Sequence, residues 1–139
     1  MLKYGAERAG DDRPALAYYG NHISYGQLLD DVHACAAGLR AHGVKRGDFV
    51  TIFLPNIPQC VVAVYAVNLI GAVCNMVHPL STTGETGYAV DLTASKYVLT
   101  CEINEAVCSG MDVEIIRCRT PSYFPKTPKG YLLGWLYRR

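Results

Sequence analysis

Four histidines, six cysteines and one run of three hydroxyls are the side chains from which this sequence could build a reactive site. Zinc needs ligands at short fixed spacings such as C-x-x-C or a close histidine pair. Cys35, Cys60, Cys74, Cys101, Cys108 and Cys118 contain no such spacing, and no pair among His22, His33, His42 and His78 falls at a zinc-finger interval. Cys35, Cys60 and Cys74 sit inside apolar runs, where cysteine behaves as a small hydrophobe. Cys101 stands at the end of a run of strand-forming residues. It is a candidate nucleophile, but no histidine accompanies it to take its proton. His33 and His42 fall within and at the end of one helical pattern, where surface positions are expected, and His22 falls at a turn. His78 is the most interesting of the four. It lies in a loop after a strand, and open α/β sheets gather ligands at the carboxyl ends of their strands. Ser81, Thr82 and Thr83 are accounted for by a loop and a helix cap. No Walker loop and no G-x-G-x-x-G occurs. From these patterns no catalytic, cofactor-binding or metal-ligating residue is assigned.

The elements that would position these side chains follow from periodicity. Residues 1–13 are polar and are read as a loose lead-in. Ala15–Tyr19 reads as a strand, Gly20-Asn21 as a turn, and His22-Ile23 as the start of the return strand, giving a short hairpin. Ser24 with Gln27 fits a capping box at the start of a helix. Leu28, Val32, Cys35, Ala36 and Leu39 recur at three and four residues and form its apolar stripe. Gly43 stops it. Phe49–Leu54 is a nearly continuous apolar run, the signature of a strand buried on both faces. Pro58 suits the first turn of a helix running to about Ile70, and Val73–Val77 is a second buried strand. Glu85 to about Thr93 forms a helix weakened by Gly87 and Val90. Tyr97–Cys101 is a third strand, 102–110 a short helix or turn, and Val113–Cys118 a fourth strand. Strands alternating with helices predict an α/β fold with a mainly parallel sheet and flanking helices, preceded by a short β-hairpin. The expected organisation is a lead-in over 1–13, one subdomain over 14–119 and an irregular aromatic and basic tail over 120–139.

Composition narrows the class. The chain has 139 residues, 50% of them hydrophobic and 18% charged, with a formal net charge of +1. This is a globular composition with no general attraction to nucleic acid. Lys126, Lys129, Arg138 and Arg139 make the end more basic, as a solvated tail would be. The stretch from Cys60 to Val77 is long enough for a membrane span. Asn68 and Asn75 interrupt it, Gly71 divides it, and its halves read as a helix and a strand, so no transmembrane span is expected. Residues 1–12 lack the apolar core of a secretory signal, which predicts reduced thiols in a cytoplasmic protein.

Taken in order, several of these segments resemble the adenylate-forming superfamily, and within it the AMP-forming acyl-CoA synthetases. Ile23-Ser24-Tyr25-Gly26-Gln27-Leu28 resembles its Leu-Thr/Ser-Tyr-x-Glu-Leu motif. Gly43-Val44-Lys45-Arg46-Gly47-Asp48 is similar to its Gly-Val-x-x-Gly-Asp. Ile52-Phe53-Leu54-Pro55-Asn56-Ile57-Pro58-Gln59 is similar to its Leu-Leu-Pro-Asn-x-Pro-Glu. Ile70-Gly71-Ala72-Val73, Asn75 and His78-Pro79-Leu80 resemble the second motif in its acyl-CoA synthetase form, followed by Glu85, Tyr88 and Ser95-Lys96-Tyr97-Val98-Leu99-Thr100. The resemblance covers about residues 15–100.

The resemblance implies the N-terminal subdomain of an enzyme that joins a carboxylic acid to AMP with Mg-ATP and then passes the acyl group to a thiol, often coenzyme A. It also implies that the matched positions are structural. The superfamily's phosphate loop reads approximately Thr-Ser-Gly-Thr-Thr-Gly-x-Pro-Lys-Gly. Thr127-Pro128-Lys129-Gly130 resembles only its tail, and Ser122-Tyr123-Phe124-Pro125-Lys126 before it has neither the glycines nor the hydroxyl run. Without that loop, the magnesium-binding glutamate, the ribose-binding aspartate and the lysine of the C-terminal domain, the expectation is a truncated fragment. It would be inactive alone and bind no ATP, Mg or CoA itself. Its expected partners are the missing remainder or a second copy. The alternative is a non-catalytic binding or regulatory module that complements a separately encoded remainder.

Overall fold

The computed structural model describes residues 2–119 and Tyr123. The elements run α1 (Leu2–Ala9), β1 (Pro14–Tyr18), β2 (Asn21–Ser24), α2 (Tyr25–Ala41), β3 (Phe49–Phe53), α3 (Pro58–Leu69), β4 (Val73–Met76), α4 (Thr83–Thr93), β5 (Tyr97–Cys101), a 3₁₀ turn (Glu105–Cys108) and β6 (Glu114–Cys118). β1 and β2 form the expected antiparallel hairpin, and the other four strands form one parallel sheet in the order β4-β3-β5-β6.

Local chemistry explains most element ends. The Ser24 hydroxyl accepts the Gln27 N–H at 3.2 Å and starts α2. Gly43, at φ +93°, lets the chain leave α2 while the Val44 N–H returns to the Leu39 carbonyl. Pro58 occupies the first turn of α3, and Gly71 ends the crossover at φ +77°. A side chain at Gly71 would also meet the Arg46 stem at 3.1 Å, so both backbone and space require glycine. α3 is 12 residues long and is followed by a turn and a strand. Among the described residues no helix is long and apolar enough to cross a membrane.

Three expectations are corrected. The lead-in is not loose, because residues 2–9 form a helix. Ala6 is buried, Gly5 lies under the Tyr25 ring, and the Tyr25 and Gly26 amides donate to the Arg13 and Asp11 carbonyls. Docking against α2 orders a segment whose own polar composition gives little reason for a helix. The hairpin turn falls one residue earlier than the Gly-Asn signal, at Tyr19-Gly20. Both have positive φ, as a two-residue turn matched to strand twist requires. Asn21 is thereby released into β2. α4 begins at Thr83, two residues before the expected Glu85, because Thr82 and Glu85 make a complete capping box.

The sheet has two unlike faces. Val50, Ile52, Leu99 and Cys101 point to the α2–α3 side. There they join Ile23, Leu28, Val32, Leu39, Val62 and Val67 in the larger core. Phe53 and Val98 point the other way and meet Val77, Val90 and Cys108 in a smaller one. Period-2 alternation along β3 and β5 divides the two sets.

Candidate functional site

In a parallel sheet the loops leaving the strands form one rim, and here they are 54–57 after β3, 77–82 after β4, 102–104 after β5 and Arg119 after β6. His78 is exposed on this rim. Its Nδ1 accepts the Leu80 N–H at 3.2 Å, which places the ring proton of the neutral form on Nε2. Thr82 is the N-cap of α4. Its N–H donates to Glu85 Oε2 at 2.8 Å, its hydroxyl donates to the same oxygen at 2.9 Å, and the Glu85 N–H returns to the hydroxyl. These bonds from Thr82 hold the Glu85 carboxyl below the usual glutamate range, with a smaller contribution from the charge of His78. The hydroxyl cluster is therefore used as a cap. Asn104 is buried and donates its side-chain N–H to the Pro79 carbonyl, tying the third loop to the second.

Several backbone donors at the rim are engaged within the chain. The Ile57 N–H donates to Pro55, Cys60 to Ile57, Ser81 to His78 and Asn104 to Cys101, each through a backbone carbonyl at 2.8–3.0 Å. Leu80 and Thr82 donate to side chains as described. A phosphate cradle needs such N–H groups free and convergent.

Around the corner, on the α2–α3 side, Gln27, Asp31, Cys35, Gln59, Cys118 and Tyr123 line an open groove of ≈ 330 Å³. The Gln59 amide donates to the Arg119 carbonyl at 2.7 Å and holds the chain as it leaves β6. The Tyr123 hydroxyl donates to Asp31 at 2.5 Å. Burial and this acceptor push the phenol well above its ordinary range. Burial also raises the Cys35 thiol and pushes Cys118 up to about 12, so both are protonated at neutral pH and are weak nucleophiles. The Asp31–Tyr123 pair left no trace in the sequence pattern, because its members are 92 residues apart.

The remaining sequence candidates are not brought together. His22 is on β2, His33 on α2 and His42 at the C-cap of α2, all exposed, and His42 pairs with Glu114. Cys101 is fully buried, with its Sγ 3.8 Å from Asn104 Oδ1, so a substrate has no access to it. Among the described residues no three His, Cys, Asp or Glu side chains are grouped to hold a metal, and all six cysteines are free. Thr127-Pro128-Lys129-Gly130 lies outside the described residues.

The sequence and the fold both have relatives. The family model "AMP-binding enzyme" matches residues 2–132. Acetyl-coenzyme A synthetase 2 of Saccharomyces cerevisiae is 39% identical over 100 residues, 68% of this chain and 15% of that protein. A long-chain-fatty-acid–CoA ligase of Bacillus subtilis is 30% identical over 92 residues, 66% of this chain and 16% of that one. Among solved structures, o-succinylbenzoate coenzyme A synthetase of Bacillus subtilis, in complex with AMP, superposes with a TM-score of 0.73 at 25% identity. That match covers 84% of this chain and 30% of that one. NpsA-ThdA, a fused adenylation–PCP di-domain from Klebsiella oxytoca, superposes with a TM-score of 0.76 at 23% identity, covering 84% and 21%, and shares the fold. This chain thus spans about one sixth of the length of the curated relatives it matches. With the family model over most of its length and a curated relative at 39% identity, this chain belongs to the AMP-binding enzyme family.

Proposed function

We propose that this chain supplies part of the sheet-and-helix scaffold of an AMP-forming carboxylic acid–CoA ligase and does not form an acyl-adenylate on its own. The observation that carries this reading is the state of the rim. Several of its amides donate within the chain, to Pro55, Ile57, His78, Glu85 and Cys101, which supports a structural role for these loops. Motif positions act in the same structural sense. Ser24 caps α2, Gln59 anchors the exit of β6, Glu85 closes the cap of α4 and Gly71 makes a turn. Adenylation depends on preorganised positive groups and N–H donors aimed at a developing phosphoryl charge, whereas the rim amides named above donate within the chain. The acyl-adenylate and thioester steps of the whole enzyme would draw on other residues of the family's domain. Six free thiols accord with a reducing, cytoplasmic setting.

The test is ATP–pyrophosphate exchange by the purified chain with magnesium and a panel of carboxylic acids from acetate to long-chain fatty acids. No acid-dependent exchange is expected. Exchange above buffer with any acid overturns the reading and assigns phosphate binding to this chain.

A further inference from the structure

Beyond β6 the chain is fixed at two points on the α2–α3 side. The Arg119 carbonyl accepts the Gln59 amide at 2.7 Å. The Tyr123 hydroxyl donates to Asp31 at 2.5 Å, and the Tyr123 carbonyl accepts the Asn21 side-chain amide at 3.2 Å. The direction from the first point to the second leads from the end of β6 toward the hairpin. Asn21 stands opposite Tyr18 in the hairpin register. Directly opposed residues of an antiparallel pair share one face, with their Cβ atoms about 5 Å apart. The Tyr123 carbonyl therefore lies about one strand spacing from Tyr18.

Tyr18 is one wall of a second groove. With Leu16, Ile57, Pro58, Cys60 and Val61 it encloses ≈ 290 Å³ between β1 and the first turn of α3, and none of the lining residues is charged. Burying apolar surface is the favourable way to fill such walls, whereas a polar occupant would lose its hydrogen bonds to water. The next residue after Tyr123 in the sequence is Phe124. It is joined to a fixed residue with no linker between them, so its effective concentration at the groove exceeds that of a separate molecule. A phenyl ring matches the walls and carries no polar atom that the groove would leave unpaired.

We propose that the segment following Tyr123 enters this groove and seats the Phe124 ring between β1 and the first turn of α3. Among the described residues the hairpin pairs with no other strand, and the chain's own continuation thereby pins it to α3. Tyr123 holds the segment by hydrogen bonds, and Phe124 holds it by burial. The packing does not depend on the ligase reading, since it involves no phosphate and no acyl group.

The test uses the full 139-residue chain and the groove's own thiol, Cys60. Iodoacetamide labelling, mapped to each cysteine by mass spectrometry, is compared between wild type and Phe124→Ser. Cys60 is expected to react about tenfold faster in the variant, because a buried aromatic ring keeps the open form rare. Cys74 is on β4, does not line the groove and is expected to keep its rate. Should Cys74 quicken as well, the variant has loosened throughout, and a second variant decides. In Phe124→Cys, oxidised glutathione is expected to join position 124 to Cys60 as the main disulfide. A main disulfide to another thiol, or equal Cys60 rates in wild type and Phe124→Ser, overturns the proposal. So does Cys60 protection that disappears on dilution of the wild type, which would assign the groove to a second molecule.

Discussion

The two faces of the sheet are built on different principles. The α2–α3 face is closed by apolar packing. α2 contributes Leu28, Val32, Ala36 and Leu39, α3 contributes Val62, Ala63, Ala66 and Val67, and β3 and β5 supply fully buried aliphatic side chains between them. The α4 face has a small apolar cluster and a polar layer beside it. The Asn75 side-chain NH2 shares its two hydrogens among the Thr51 hydroxyl at 2.9 Å, the Ala89 carbonyl at 3.1 Å and the Thr93 hydroxyl at 3.2 Å. The Thr93 hydroxyl in turn meets that of Ser95 at 2.9 Å. Of the 11 residues of α4 only Thr86 and Val90 are buried, while Tyr88 and Leu92 face outward. Apolar contact is non-directional and tolerates small shifts, whereas hydrogen bonds hold one register. One face thus supplies stability, and the other fixes where α4 sits against β4.

The strongest challenge to this contrast is truncation of the larger core. Leu39→Ala or Ile52→Ala is expected to cost about 2–5 kcal/mol, the range for large-to-small changes at buried sites. Val90→Ala on the other face should cost about half as much or less, because fewer neighbours lose contact. Urea unfolding of the three variants measures both. Equal losses would mean that the faces are energetically alike.

A smaller effect is expected from the polar layer. Asn75→Leu leaves the Thr51 and Thr93 hydroxyls without this donor, at about 1–3 kcal/mol. A Thr51→Val, Asn75→Leu double variant should recover part of that loss, since removing both partners leaves fewer buried groups unsatisfied. A double variant no more stable than the single one would show that Asn75 acts through its shape and not its bonds.

The smallest effect concerns the start of α4. Thr82→Ala removes the cap and should cost about 1 kcal/mol, while Thr82→Ser should be nearly neutral. The Glu85 carboxyl is held below its ordinary value in the folded chain by its bonds to Thr82. A depressed folded pKa means that the unfolded chain takes up the proton first. The contribution is therefore complete above the unfolded value, about pH 4.3, and is lost as pH falls through the lower folded value. Wild type and Thr82→Ala should accordingly converge in acid. Amide exchange in the first turn of α4, followed from neutral pH downward, checks the sign, and divergence in acid would refute it.

Legibility in the sequence followed the range of the interactions. Ser24, Gly43, Pro58 and Gly71 could be placed because a cap, a left-handed residue and a missing N–H act within a few residues of themselves. The apolar stripe of α2 showed which side would be buried, and its four buried residues all lie on it. α1 was misread as loose because its order comes from Tyr25 and from the carbonyls of Asp11 and Arg13. The hairpin turn was displaced by one residue because Tyr19 adopts a positive φ that its side chain does not advertise. At the rim, Thr82 was recognisable as a cap. The bonds from Asn104 to Pro79 and from Tyr123 to Asp31 were not, since they span 25 and 92 residues.

By itself the sequence determined the alternation of strands and helices, the apolar faces and the family resemblance, all of which rest on short periods and ordered motifs. Only the tertiary structure decided that, among the described residues, β4 pairs with β3 alone while β3 lies between β4 and β5, that Asn75 turns its amide beneath α4, and that Asn104 ties the loop after β5 to the loop after β4. The physical reason is that periodicity records which side of an element avoids water. Strand order and hydrogen-bond partners depend on contacts between residues far apart in the chain, and those exist only once it has folded.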